Sequence, residues 1–275
     1  MKIDMHIHST FSDGAYTPER LIGLAATNKV THISLTDHNT VEGLLPFITS
    51  ANSLNISSIT GAEITTAYKH AHILGYNFKD LKTMEAEFIK IKQINNNICK
   101  CIISKMQFKG ININFKAVSK NGKIPYITLK DISNYLVDIN LVKTESQAFK
   151  DYIGYGAPFY IKQTKMRSDN AINLIKDCGG KAFLAHPFYS KFENMQEEIN
   201  MLKASGLSGI EVYHPSHTKE QIRFLKELSN DLNLMMSIGS DFHNFSDKYP
   251  SRKVGIYINY ALISSMRLNE LFLNI

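Results

Sequence analysis

Short apolar runs punctuate the first and last thirds of the chain, at 2–7, 32–35, 58–64, 71–75, 182–185, 209–212 and 234–238. They are continuous rather than alternating, the pattern of strands covered on both faces. Helical periods separate several of them. Thr17 is placed to cap one helix, with Pro18 at its first position and Glu19 in its first turn. Strand, helix, strand in repeated order predicts an α/β fold with a parallel sheet closed into a barrel.

The alternation breaks down between residues 77 and 162. Met84, Phe88, Ile91, Ile94, Ile98 and Ile102 recur at steps of three and four, which predicts one long amphipathic helix. Further helical stretches are expected at 129–137 and 146–152, followed by a turn at Gly154 and Gly156. The organisation read from this pattern is a barrel of residues 1–76 and 163–275 with a small helical subdomain, 77–162, inserted into it. The Met/Ile stripe is read as core-facing.

Composition narrows the class. At 275 residues, 44% hydrophobic and 20% charged, the chain is an ordinary globular protein large enough for one domain with an insertion. No run reaches the roughly 18 consecutive apolar residues of a membrane span. The opening segment, MKIDMHIHSTFSDG, carries two His and two Asp where a secretory leader is apolar, so a cytoplasmic location is expected. Cys99, Cys101 and Cys178 are odd in number and read as reduced thiols. The formal charge of +6 mildly favours an anionic ligand, but it is dispersed, and no stable DNA complex is expected.

The candidate chemistry sits at strand ends. His6 and His8 close the first strand, and residues two apart on a strand face the same side. Asp13 follows in the next loop, His38 closes the second strand and Glu63 ends the third. His70 and His72 open the fourth. His186 ends a later strand, and Asp241 and His243 follow another. In parallel α/β folds ligands gather at the carboxyl ends of strands. Mixed imidazole and carboxylate donors suit Mn²⁺, Fe²⁺ or Zn²⁺. Nine donors (His6, His8, Asp13, His38, Glu63, His72, His186, Asp241 and His243) exceed what one ion takes, so two or three cations with bridging carboxylates are expected. His214 and His217, in Tyr-His-Pro-Ser-His-Thr, are candidate proton donors or phosphate contacts. His32, at the opposite end of its strand, reads as structural.

These residues lie in blocks that resemble the PHP family, named for polymerase and histidinol phosphatase members. The blocks include Asp4-Met5-His6-Ile7-His8-Ser9-Thr10, Ser12-Asp13-Gly14, Thr36-Asp37-His38-Asn39-Thr40, Gly61-Ala62-Glu63-Ile64, His70-Ala71-His72-Ile73-Leu74-Gly75, Leu184-Ala185-His186-Pro187, Gly209-Ile210-Glu211-Val212-Tyr213 and Gly239-Ser240-Asp241-Phe242-His243. The resemblance implies a distorted (β/α)₇ barrel with up to three metals. It places His6 and His8 on the first with bridging Glu63 and Asp241, His72 and His186 on the second with Glu63, and Asp13, His38 and His243 on the third. The insertion, ending in Tyr152-Ile153-Gly154-Tyr155-Gly156, resembles that of the subgroup acting on nucleotides and oligonucleotides. Two departures stand out. Ile124-Pro125-Tyr126 replaces that subgroup's frequent Arg-Pro-His, and Phe188-Tyr189-Ser190 follows Pro187 where many members carry an arginine. Lys123, Lys191 and Tyr126 are the candidate substrate contacts in their place.

The implied reaction is hydrolysis of a phosphate ester by a metal-bridging hydroxide, with Glu63 and Asp241 as the bridging carboxylates. The expected substrate is a small phosphomonoester, a nucleotide or a cyclic phosphodiester. The alternative is 5′-3′ exonuclease action on short oligonucleotides, which calls for an open basic groove, and no Arg-rich or aromatic-interleaved tract supplies one. A non-catalytic metal- or ligand-binding protein is a further alternative, weakened by the complete donor set. An amidohydrolase is more distant, because Glu63 stands where such enzymes often carry a carboxylated lysine.

Overall fold

Each apolar run of the sequence folds as a strand in the computed structural model, which describes residues 1–245 and 253–272. Two compact units result, Met1–Ala86 with Met166–Ile275, and Glu87–Lys165.

In the first unit the order is β1 (Lys2–Ile7), α1 (Pro18–Thr27), β2 (His32–Leu35), α2 (Leu44–Ser53), β3 (Ser57–Ile59), β4 (Gly61–Thr65) and β5 (His72–Tyr76). Thr17 does cap α1, its hydroxyl accepting the Arg20 N–H at 3.4 Å, and the helix buries Leu21, Ile22 and Ala25. The helix α3 (Leu81–Phe108) then spans the 86/87 boundary. It is followed by α4 (Phe115–Val118), α5 (Leu129–Asp138) and α6 (Glu145–Ala148), which runs into a π-turn at Phe149–Ile153. The chain returns through α7 (Ser168–Asp177), β6 (Lys181–Leu184), α8 (Met195–Ala204), β7 (Gly209–Tyr213), α9 (Lys219–Asp231), β8 (Met235–Ile238), β9 (Ile256–Tyr257) and α10 (Tyr260–Met266).

Among the described residues the strands form two hydrogen-bonded sheets, β3-β2-β1-β9 and β4-β5-β6-β7-β8, where the sequence predicts one. Pairing is parallel in β1–β2, β2–β3, β6–β7 and β7–β8, but antiparallel in β4–β5, β5–β6 and β1–β9. The connection of residues 66–71 explains the first reversal, because it is too short for the crossover that a parallel neighbour needs. The run 58–64 is also divided at Thr60, whose hydroxyl donates to the Phe78 carbonyl at 2.6 Å. At Gly61 a Cβ would lie 2.2 Å from Ser34 Oγ, so glycine lets β4 leave the first sheet against bare backbone. Between the sheets, among the described residues, isolated bridges join Ile7 to Phe242 and His38 to Glu63. Both seams carry residues of the candidate site.

The second unit has its own core, including Cys99, Ile102, Met106, Ile132, Leu136 and Ile153, all at most 2% exposed. Burying each of the large aliphatic residues contributes roughly 1.5–3 kcal/mol. Thr128 and Asp131 close a capping box on α5, which fixes the start of that helix. No described helix is long and apolar enough to cross a membrane.

Candidate metal centre

The centre is built entirely by the first unit. His6 lies on β1 and His8 one residue past its end, and their Nε2 atoms face each other at 3.1 Å. Glu63, in β4, is fully buried, and five imidazoles surround its carboxylate. His72 Nδ1 and His186 Nε2 lie 2.8 and 3.0 Å from Oε1. His6 Nε2, His8 Nε2 and His38 Nδ1 lie 3.2, 3.3 and 3.2 Å from Oε2. Asp241 Oδ1 is 3.3 Å from His8 Nε2 and 3.6 Å from His6 Nε2. On the open side, half-exposed Asp13 lies 3.3 Å from His243 Nε2, and the His243 ring stacks on His8 at 4.1 Å.

These donors form overlapping groups whose atoms lie within 4.8 Å of one another: His8, Asp13, His38 and His243; His6, His8 and Asp241; His6, Glu63 and His186; His38, Glu63 and His72. All nine residues singled out in the sequence are brought together. The grouping is less partitioned than the resemblance implies, since His8 also joins the Asp13 group and His6 also joins the His186 group. A cleft of about 280 Å³ opens onto them, lined by His38, Glu63, His70, His72, His186, Tyr189, Asp241 and His243.

The donor chemistry fits divalent cations. Imidazole nitrogens crowd around carboxylates that stay ionised: burial would raise Glu63, but His38, His6 and His72 hold it well below the usual carboxylate range. Asp241 is likewise held far below that range, with His214 and His8 outweighing its burial. Burial pushes the His38 ring down to about 4, leaving it neutral and free to ligate near pH 7. Hydrogen bonds to Asp241 and Glu63 overcome burial at His8 and raise it to about 9, so a cation there competes with a proton.

Three buried carboxylates outside the nine support them, and sequence reasoning did not single them out. Asp4 accepts the Ser240 N–H and hydroxyl at 2.9 and 2.7 Å and the Gly255 N–H at 2.7 Å, which anchors the segment leading to Asp241. Asp37 accepts the Ser9 N–H at 2.7 Å and the Ser12 hydroxyl at 2.6 Å, which anchors the loop carrying Asp13. Glu211, in β7, accepts from His6 Nδ1 at 2.9 Å and from the His186 N–H at 2.8 Å. Left-handed backbone at Asn39 (φ 50°), His70 (58°), His186 (23°) and Asp241 (53°) marks the same strand ends. Such conformations cost about 1–3 kcal/mol each and cluster at functional sites.

The two proton-donor or phosphate-contact candidates, His214 and His217, lie behind the centre rather than in the cleft. The His214 side chain has no exposed area. Its Nδ1 accepts the Ser216 N–H at 3.2 Å, and its Nε2 points at Asp241 Oδ2 from 3.6 Å. His217 Nδ1 donates to the Val212 carbonyl at 2.9 Å, and its ring packs on Phe188. Neither lines the cleft; His70 and Tyr189 do. Lys191 is exposed, with its backbone N–H on the Lys69 carbonyl at 2.7 Å. Lys123, exposed, and Tyr126, half-buried, belong to the second unit.

Fold and centre together define a mixed α/β protein whose strand ends can hold metal. The chain belongs to the PHP domain family, whose model matches residues 4–199. A 5′-3′ exoribonuclease of Haemophilus influenzae is 33% identical over 273 residues, covering 96% of this chain and 96% of its own. A 3′,5′-nucleoside bisphosphate phosphatase of Chromobacterium violaceum is 29% identical over 247 residues, covering 88% of this chain and 87% of its own. Among solved structures, an amidohydrolase from Chromobacterium violaceum with bound sulfate and no metal matches with a TM-score of 0.74 at 25% identity, covering 94% of this chain and 93% of that one.

Proposed function

We propose that this protein is a metal-dependent phosphoesterase acting on a small phosphorylated substrate of the nucleotide or short-oligonucleotide class. The observation that carries the reading is Glu63, a fully buried carboxylate with five imidazoles around it at the floor of an open cleft. No purely structural role calls for that arrangement. His6, His8, Glu63 and Asp241 would hold one cation, His72, His186 and Glu63 a second, and Asp13, His38 and His243 a third. Mn²⁺, Fe²⁺ and Zn²⁺ all suit these donors. When bound, the cations supply Lewis acidity towards the phosphoryl oxygens and a water acidic enough to attack near neutral pH.

The chain's own groups do the rest. Glu63 and Asp241 supply the buried negative charge that would offset the cations' own. Asp13, at the open edge, leaves room for the substrate phosphate beside His243. His214, buried behind Asp241, keeps that carboxylate turned towards the centre. We further read the two sheets as the halves of one distorted (β/α)₇ barrel, which the bridges at both seams support, and the second unit as an inserted helical subdomain. A cytoplasmic setting with reduced thiols fits this reading.

Exonucleolytic cleavage of short oligonucleotides from the 5′ end is the second reading. It is favoured by the exoribonuclease relative, which matches almost end to end. The decisive experiment is elemental analysis of chelator-free protein, followed by a screen of the Mn²⁺-loaded form. Phosphomonoesters, cyclic phosphodiesters, nucleoside bisphosphates, 5′-phosphorylated oligoribonucleotides and amides form the panel. At least two equivalents of metal and phosphoester turnover abolished by EDTA are expected. Failure to hydrolyse any phosphoester after reconstitution with Mn²⁺, Fe²⁺ and Zn²⁺ would overturn the proposal, and turnover confined to amides would transfer it to C–N chemistry.

A further inference from the structure

We propose that Glu211 is a positioning residue that couples two parts of the metal centre, gripping the ring of His6 and the backbone of His186 with one carboxylate. This inference rests on the metal-centre reading above. Among the described residues, Glu211 is the carboxylate outside the proposed ligand set that touches a ligand ring.

The geometry gives each oxygen a separate task. Glu211 is fully buried in the middle of β7. Its Oε1 lies 2.9 Å from His6 Nδ1. A carboxylate offers only acceptors, so Nδ1 must carry the proton, and Nε2 faces the centre as the atom available to a cation. Its Oε2 accepts the His186 N–H at 2.8 Å. His186 stands at φ 23°, a conformation that persists only where the surroundings impose it. Satisfying that N–H is one such restraint.

The two gripped residues come from different sheets. His6 is on β1 of the first, and His186 follows β6 of the second. They meet in one ligand group with Glu63, while His6 also belongs to the group with His8 and Asp241. A displacement of His6 is therefore felt by both groups. Packing leaves little alternative: a Cβ at Gly239 would lie 2.2 Å from His6 Cβ and 2.7 Å from Glu211 Oε1, so the pair rests against bare backbone. The remaining buried anchors, Asp4 and Asp37, accept from backbone N–H groups and serine hydroxyls, not from ligand rings.

The test compares wild-type protein with Glu211→Gln and Glu211→Ala. Cation affinity is measured by competition with a chromogenic chelator, metal is counted after dialysis, and metal-free thermal unfolding serves as the control for a purely structural role. Glu211→Gln should weaken Zn²⁺ binding about 10–100-fold, with two equivalents lost together across the titration. In Zn²⁺-loaded wild type, ¹⁵N-resolved imidazole spectra should show His6 as the Nδ1–H form, ligated through Nε2. Unchanged affinity in Glu211→Gln, or loss of one equivalent with the other intact, overturns the coupling. So does a His6 ring ligated through Nδ1, a result that needs no variant and stands even if both substitutions fail to fold. Wild-type protein that takes up no cation would instead bring down the metal reading itself.

Discussion

Replacing Glu63 with glutamine is the sharpest test of the centre. The substitution keeps the side chain's shape and removes one charge from a fully buried group whose two oxygens sit 2.8–3.3 Å from five imidazole nitrogens. One amide position becomes an N–H donor pointing into that ring of nitrogens, so cations on that side lose an oxygen ligand. Two unit charges 4 Å apart interact by about 4 kcal/mol at an effective dielectric constant near 20, and a dication raises the figure. A loss of at least about 4 kcal/mol, close to a thousandfold in affinity, is expected for each cation the carboxylate touches. Turnover should fall by at least ~10³-fold on any phosphoester that wild type cleaves. Isothermal titration with Mn²⁺, metal counting and a chromogenic phosphoester assay read these quantities, and circular dichroism shows whether the variant is folded. A folded Glu63→Gln protein that retains two tightly bound cations and near-normal turnover would refute the reasoning.

Specificity and thiol chemistry give two further predictions. With Tyr189 lining the cleft where the resemblance places an arginine, one charge-assisted phosphate contact worth about 1.5–3 kcal/mol is missing. Nucleoside 3′,5′-bisphosphates should then gain less than about tenfold in kcat/KM over matched monophosphates, and Tyr189→Arg should raise the ratio. A wild-type preference of about a hundredfold or more would overturn this. Among the cysteines, Cys101 is exposed while Cys99 and Cys178 are buried, and burial pushes the Cys99 thiol up to about 12. One thiol should react rapidly with a disulfide reagent in native protein and three after denaturation. Two or more fast thiols in the native state would contradict the packing around α3.

What the sequence made legible depended on local periodicity. His6 and His8 announced themselves because a strand places every second residue on one face. Glu63, His186 and Asp241 stood out because each lies at or shortly past the end of an apolar run. The antiparallel turn at residues 66–71 was hidden, because a short apolar run looks alike in either direction. Glu211, Asp4 and Asp37 were passed over for a related reason: an acidic residue within or beside an apolar run says nothing about which distant N–H it will meet. His214 and His217 stood out as proton-donor candidates because they follow a strand, but nothing local announced that Phe188 and Tyr189, from another segment, would pack against them. Those facts belong to tertiary structure.

The pairing of β5 with β6 sets a timetable for the centre's assembly. Tyr76 pairs with Lys181, and β1 is flanked by β9, where Ile3 pairs with Ile256. Contacts of such long sequence separation form slowly, since loop closure is opposed by chain entropy before the pairing rewards it. During synthesis His6 and His8 emerge well before Asp241 and His243, which join them only after β2 to β8 have been made. The helical stretch between β5 and β6 has a core of its own and can collapse while the flanking sheet waits. The group of His38, Glu63 and His72 is thus complete in sequence long before the groups that need Asp241 and His243, and full ligation waits on those last two donors.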